Sequence, residues 1–237
     1  MNTSNLTSIT ALPPVEAPTG FFDLGVPARI DDGLAACGFA QPFNIQTEAI
    51  PVAMTGKDVC GRAKTGSGKT LAFGLPVLQR MQKAAPNHPT GLVLVPTREL
   101  ANQVCDELAP AAIAVGRSAL AIYGGAPIEK QIEKLATGVD LVVATPGRMI
   151  DLIERDAISV SQVQHVVVDE ADRMADMGFL PQVEWILRNV EGDHQTLLFS
   201  ATLDGVVNTL IKRYQTDPTM HEVEAEEVTV EQMTHRF

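Results

Sequence analysis

Ala63-Lys64-Thr65-Gly66-Ser67-Gly68-Lys69-Thr70 decides the fold. It follows Asp58–Arg62, which reads as a strand, and opens a helix that starts around Gly68 and covers Lys69–Gln82. Gly66 and Gly68 let the backbone curl so that successive N–H groups and a helix N-terminus face an anion. Lys69 then reaches the terminal phosphates of a nucleotide, and Thr70 supplies a ligand for Mg²⁺. The general pattern has Gly where Ala63 stands. A chance Gly-Lys-Thr in a glycine-rich loop is the competing reading, and the strand before and helix after it weigh against that.

Outward from this loop the same alternation continues. Gly91–Val95, Ala119–Tyr123, Asp140–Ala144, His165–Asp169 and Thr196–Ser200 read as further strands. Glu99–Val115, Ile128–Ala136, Arg148–Glu154, Phe179–Val190 and Val206–Tyr214 read as the helices between and after them. Repeated βα units predict an α/β fold, a parallel sheet with helices on both faces. Composition agrees: 45% of the 237 residues are hydrophobic and 5% aromatic, which suits close-packed parallel strands better than a sandwich.

In such sheets ligands bind beyond the carboxyl ends of the strands. Thr65–Thr70, Pro96–Arg98, Gly124–Gly125, Thr145–Arg148, Asp169–Asp172 and Ser200–Thr202 each follow a strand directly, so six polar clusters are expected along one edge. Within them, Asp169 ends a buried run from His165 and is placed to hold Mg²⁺, while Glu170 is placed to polarise the attacking water. The plainer reading of these acids is a helix N-terminal cap.

Asp169-Glu170-Ala171-Asp172 spells the signature of the DEAD-box RNA helicases, and the chain resembles that family from Phe21 to about Tyr214. The family's own phosphate loop carries Ala at its first position, as Ala63 does here. The resemblance implies a RecA-like P-loop domain over 21–216 that uses ATP and Mg²⁺. Lys69, Asp169 and Glu170 are then the catalytic set, and Thr65 to Thr70 the phosphate cradle. Pro96, Thr97, Arg98, Gly124, Gly125, Thr145, Pro146, Gly147 and Arg148 resemble the RNA-backbone contacts. Asp172, Ser200 and Thr202 resemble the elements that couple ATP state to unwinding. Gly38 to Gln46 resembles the family's adenine-reading element, which implies that Gln46 bonds the adenine edge and that Phe21, with Phe22 as the alternative, stacks on the base. Phe43 stands where the family has Ser or Thr, so the helix cap there is expected to fall to Asn44. The resemblance further implies binding of single-stranded or short duplex RNA, and a second RecA-like domain that supplies arginines to the terminal phosphate. Nothing after Thr202 resembles those arginines, so the chain is expected to be a first domain, monomeric by itself.

The net charge of −11 argues against a nucleic-acid partner only superficially. Six acids and Arg236 between Asp217 and Phe237 account for −5, leaving −6 for the rest. Prolines, glycines and threonines can offer backbone N–H and hydroxyl groups to phosphates, with Arg98 and Arg148 adding local charge. Met1 to Gly20, with Pro13, Pro14 and Pro18, reads as a disordered tail, and 217–237 as the start of an interdomain linker. Cys37, Cys60 and Cys105 form no CxxC pair and read as small buried hydrophobes. The tail lacks the pattern of a secretory signal and no run reaches membrane-spanning length, so a reducing, cytoplasmic setting is expected. Trp185, with Phe179, Val183, Ile186 and Val190, reads as a core stripe, and the five histidines have no metal-ligand spacing. Two other functions fit parts of this pattern: a nucleotide-gated RNA-binding scaffold, and a small-molecule kinase or GTPase, which the DEAD sequence and Gln46 disfavour.

Overall fold

The computed structural model describes residue 18 and residues 20–223. The expected tail and the end of the acidic stretch lie largely outside them. A single 3-10 turn, Phe22–Leu24, is followed by helices α1 (Ala28–Ala36) and α2 (Asn44–Met54). Then come β1 (Val59–Arg62), α3 (Lys69–Arg80), β2 (Gly91–Leu94), α4 (Arg98–Ala114), β3 (Ala119–Ile122), α5 (Ile128–Leu135) and β4 (Leu141–Ala144). The chain continues through α6 (Pro146–Glu154), β5 (His165–Asp169), α7 (Ala171–Asp176), α8 (Leu180–Asn189), β6 (Gln195–Ser200), α9 (Gly205–Tyr214) and β7 (Thr219–Glu222).

The seven strands form one sheet in the order β3-β4-β2-β5-β6-β1-β7, with every pairing parallel. All six expected strands are present within a residue or two of their expected ends. Because successive side chains of a strand point to opposite faces, each apolar strand feeds two cores. Val167 and Val93 face a core shared with Ile30 of α1, Ile50 of α2, Leu75 of α3 and Val104 of α4. Val166, Val168, Leu92 and Leu94 face the other, with Leu135 of α5, Met149 of α6, Val183 of α8 and Leu210 of α9. Trp185 is half-buried and packs against this second core, as its helical stripe implied.

Two expectations are corrected. The stretch expected to begin a linker at Asp217 contributes β7, paired in register with β1 from Val59↔Thr219 to Arg62↔Glu222. Thr219-Met220-His221-Glu222 alternates half-buried and exposed positions and has no apolar run, so periodicity could not reveal it. Backbone pairing and long-range polar bonds hold it instead: Asp58 accepts from the N–H groups of Thr196 (2.8 Å) and Thr216 (2.7 Å), and Gln215 Nε2 donates to the carbonyls of Val59 and Thr196. Cys37 is exposed, unlike Cys60, which is buried and whose thiol burial pushes up to about 12. Among the described residues no helix is long and apolar enough to cross a membrane.

His165 opens β5 at 4% exposure and its Nδ1 lies 3.1 Å from Gln195 Oε1. Burial pulls its pKa below the ordinary 6.5, outweighing the hydrogen bond to Gln195 Oε1 that opposes it. The unfolded chain therefore binds a proton between the folded pKa and about 6.5 that the folded chain refuses, so stability is full above about 6.5 and is lost as pH falls. We expect His165→Gln to lose less unfolding free energy than the wild type between pH 7.5 and 5.5, by at most about 1.4 kcal/mol. Denaturant titrations at both pH values check this, and equal losses in the two chains would remove His165 as the source.

Candidate active site and nucleic-acid groove

Sheet order fixes the site: β1 and β5 both flank β6, so the loop after β1 and the acids after β5 meet over the end of β6. Lys69, the first residue of α3, reaches across this gap, and its Nζ lies 3.1 Å from Asp169 Oδ1 with both side chains almost wholly buried. Burial pushes the Asp169 carboxyl above the ordinary carboxylate range, against the opposing pull of the Lys69 ammonium. Glu170 adopts a left-handed backbone conformation (φ 53°), which turns its carboxylate back towards the phosphate loop. There Thr65 Oγ1 donates to Glu170 Oε1 at 2.8 Å, while an Arg173 guanidinium nitrogen donates to Oε2 at 3.1 Å. The N–H of Asp172 donates to Ser200 Oγ at 3.1 Å, which ties the end of β6 to the acidic cluster; Thr202 is exposed nearby.

Thr65, Gly66, Gly68, Lys69, Thr70, Asp169 and Glu170 line one cavity of about 750 Å³. Five carboxylates, from Glu99, Asp106, Glu107, Asp169 and Glu170, share that lining with a single ammonium. Such a wall admits a polyphosphate only together with a cation. The hydroxyl of Thr70 and the carboxylate of Asp169 are hard oxygen donors of the kind Mg²⁺ takes. Ser67 Oγ, buried in the loop though outside the cavity's lining, has no hydrogen-bond partner among the described residues. The residues present therefore fit a nucleotide with its ion.

The residues expected to read adenine are arranged differently from that expectation. Phe21 is wholly buried and packs in the core with Leu24, Ile30 and Ile45, so its ring has no face open to the cavity; Phe22 is 61% exposed. The aromatic rings that do line the cavity are Phe39 and Phe43. Gln46 is 1% exposed, with Oε1 accepting from the Phe43 N–H and Nε2 donating to the Gly68 carbonyl, both at 2.8 Å. It braces α2 against the phosphate loop. Phe43, not Asn44, takes the N-cap position, and the Gln46 side chain satisfies its N–H.

The three RNA-type clusters also converge. Pro96, Arg98, Tyr123, Gly124, Thr145, Pro146, Gly147, Arg148, Asp151 and Phe179 line a second cavity of about 490 Å³. Thr97 caps α4, its hydroxyl accepting from the Leu100 N–H at 3.2 Å, and Gly125 sits at φ 82° in the adjoining turn. Arg98 is exposed and pairs with Glu99 at 2.6 Å, the structural alternative to phosphate binding. Arg148 departs from expectation. Its side chain is 11% exposed and donates to the Ala126 carbonyl at 3.1 and 3.2 Å and to Gln131 Oε1 at 3.1 Å, so its charge holds the loop after Gly125 in place.

Sequence reasoning missed Glu107 and Tyr123 as cavity-lining residues and the bond of Arg173 to Glu170, singled out no role for Phe39 within the Gly38 to Gln46 element, and assigned Phe179 to the core alone. A signal for Glu107 was present: Glu99, Gln103, Asp106, Glu107 and Pro110 recur at helical spacing on the face of α4 opposite its apolar stripe, and all line the first cavity.

Fold and site together define a RecA-like P-loop domain. A model of the DEAD/DEAH box helicase family matches residues 43–210. The chain is 43% identical over 217 residues to the pre-mRNA-processing ATP-dependent RNA helicase PRP5 of Pyricularia oryzae, covering 89% of this chain and 21% of that protein. It is 41% identical over 210 residues to the DEAD-box ATP-dependent RNA helicase CshA of Bacillus subtilis, covering 89% of this chain and 42% of that one. A solved DEAD box protein from Methanococcus jannaschii superposes with a TM-score of 0.77 at 34% identity, over 86% of this chain and 56% of that one. This chain belongs to the DEAD/DEAH box helicase family, and it spans well under two thirds of the length of these relatives.

Gly68 carries two constraints at once. Its φ is 83°, and a Cβ there would lie 2.4 Å from Gln46 Nε2 and 2.6 Å from Phe43 Cδ2; Gly66, at φ 85°, has nothing within 4 Å. Gly66→Ala should cost only the backbone penalty of about 1–2 kcal/mol. Gly68→Ala should cost more and also displace Gln46, so that it weakens ADP binding more than Gly66→Ala does. Denaturant unfolding and ADP titration of both variants check the order, and equal effects would deny the packing role.

Proposed function

We propose that this chain is the ATP-binding first RecA-like domain of an ATP-dependent RNA helicase, completed by a second RecA-like domain in the whole protein. The observation that carries the reading is the meeting of Lys69, Asp169, Thr70 and Glu170 in one cavity beside a separate groove built from Pro96–Arg98, Gly124–Gly125 and Thr145–Arg148. In this reading the N–H groups of the loop and Lys69 Nζ take the β- and γ-phosphates, while Thr70 and Asp169 hold Mg²⁺, which neutralises charge on the phosphates when bound. Glu170 orients the attacking water and accepts its proton at Oε1, the atom that Thr65 now occupies. The groove takes RNA by its backbone, through main-chain N–H groups, Thr145 and Arg98, which accounts for binding by an acidic chain. Asp172, Ser200 and Thr202 would pass the state of the nucleotide to the RNA side. We further propose a monomer in a reducing, cytoplasmic setting, in keeping with three free thiols.

Adenine selectivity belongs to the same proposal. Each amide atom of Gln46 has capacity for a second bond, so it can take the adenine edge once the loop moves to expose it. ADP should therefore displace a fluorescent adenine nucleotide roughly 5- to 150-fold better than GDP, the ratio for about 1–3 kcal/mol of unmatched polar groups. Equal displacement would remove Gln46 from base recognition.

A nucleotide-gated RNA scaffold is the second reading, favoured by one observation: both oxygens of Glu170 are already hydrogen-bonded. In the complete protein Glu170→Gln should keep nucleotide binding and lose at least about 100-fold in RNA-stimulated phosphate release, whereas Lys69→Ala should weaken binding itself. Unchanged release in the Glu170 variant would favour the scaffold.

A further inference from the structure

We propose that Phe43 is the platform on which the purine base of the nucleotide stacks, an exposed ring that adds affinity for the base without choosing which purine it is. The inference rests on the nucleotide reading above and adds to it a residue by which this chain departs from the pattern it resembles.

A large apolar ring left on the surface at a helix start does little for folding. Phe43 is 57% exposed, and it stands at the N-cap of α2, where its side chain offers nothing to the free N–H groups of the first turn. A serine there would cap the helix and remove the exposed apolar surface.

The backbone of Phe43 is fixed on both sides. Its N–H donates to Gln46 Oε1 at 2.8 Å, and its carbonyl accepts from the N–H groups of Gln46 (2.9 Å) and Thr47 (3.0 Å). One edge of the ring rests on the phosphate loop, where Gly68 has no side chain to push it away: a Cβ there would lie 2.6 Å from Phe43 Cδ2. The ring is thus held beside the residue that precedes Lys69, in the cavity that both line.

The lining of that cavity divides by chemistry. Loop backbone, Lys69 and the carboxylates suit phosphates and their cation. Its aromatic rings are Phe39 and Phe43, and Phe39 packs partly against the first core, so Phe43 is the more open flat surface. Phe43 and Gln46 meet at Gly68. Hydrogen bonding to Gln46 uses the edge of a base and stacking uses its face, so one base can make both contacts. Every base has such a face. The stack therefore adds affinity and leaves the choice between adenine and guanine to Gln46.

The test is calorimetric titration of the 237-residue chain with ADP, GDP and pyrophosphate in the presence of Mg²⁺, for wild type, Phe43→Ser and Phe43→Trp. We expect Phe43→Ser to weaken ADP and GDP by the same factor, roughly 5-fold or more, as loss of a base–aromatic stack does, and to leave pyrophosphate unchanged. Phe43→Trp keeps a flat ring and should bind ADP at least as tightly as the wild type, with its new indole fluorescence quenched by ADP. Trp185 packs against the second core and should give no such signal in the wild type. Thermal unfolding checks that each variant folds; if the serine variant does not, the fluorescence of Phe43→Trp bears the test alone. Undiminished ADP affinity in Phe43→Ser, or an unquenched indole in Phe43→Trp, overturns the stack. So does parallel loss of ADP and pyrophosphate, which puts the effect on the phosphate loop, or loss of ADP without GDP, which puts it on Gln46. Each of these leaves the nucleotide reading standing, whereas failure of the wild type to bind ADP overturns both.

Discussion

The buried contact between Lys69 and Asp169 is the constraint on which the rest of the site depends. Lys69 opens α3 and Asp169 closes β5, 100 positions apart in the chain, and in the sheet a whole strand, β6, stands between β5 and the β1 that leads into the phosphate loop. Removing an ammonium and a carboxylate from water costs several kcal/mol each, and their mutual attraction barely offsets that loss. Replacement by apolar residues of similar volume would serve folding as well or better. The proposed function gives such a pair a reason to persist, since in that reading a nucleotide and its ion supply each group with a second partner.

Around that pair the site is held by crossed braces. Gln46 fastens α2 to the loop at Gly68, Thr65 fastens the loop to Glu170, and Ser200 fastens β6 to Asp172. Each brace joins segments far apart in the sequence, and each uses a polar group that a ligand could also use. Binding must then exchange bonds as well as add them. These bonds link the phosphate-loop end of the domain to the end of β6 through a chain of contacts, the physical route that the proposed coupling would use.

In the proposed RNA reading, the groove resolves the conflict between an acidic chain and an anionic partner. Arg148 spends its charge on the Ala126 carbonyl and Gln131, fixing the turn that carries Gly124 and Gly125. Its part is to shape the turn that lines the groove. Exposed cation density is low, and Arg98 is itself paired with Glu99. Recognition by shape and main-chain dipoles needs little net charge.

Local chemistry made much of this legible. The apolar runs from Gly91 to Ser200 announced their strands because the inner ones bury both faces and the edge strand β3 is half-buried, and the glycines and Lys69 announced the phosphate loop because they suit that turn and its anion. Asp169 and Glu170 followed from their position at a strand end. The sequence by itself thus determined the α/β class, the strand ends that bear the site and most of its polar residues, for these depend on neighbours a few positions away. Only the tertiary structure decided that Phe21 is core and Phe43 lines the cavity, that β7 joins the sheet beside β1, that Arg148 is an internal brace and that Glu107 lines the same cavity as Thr70. Those outcomes depend on burial and on contacts between segments distant in the chain, such as Gly74 against Leu108, and no local pattern encodes which of two competing partners a side chain will meet.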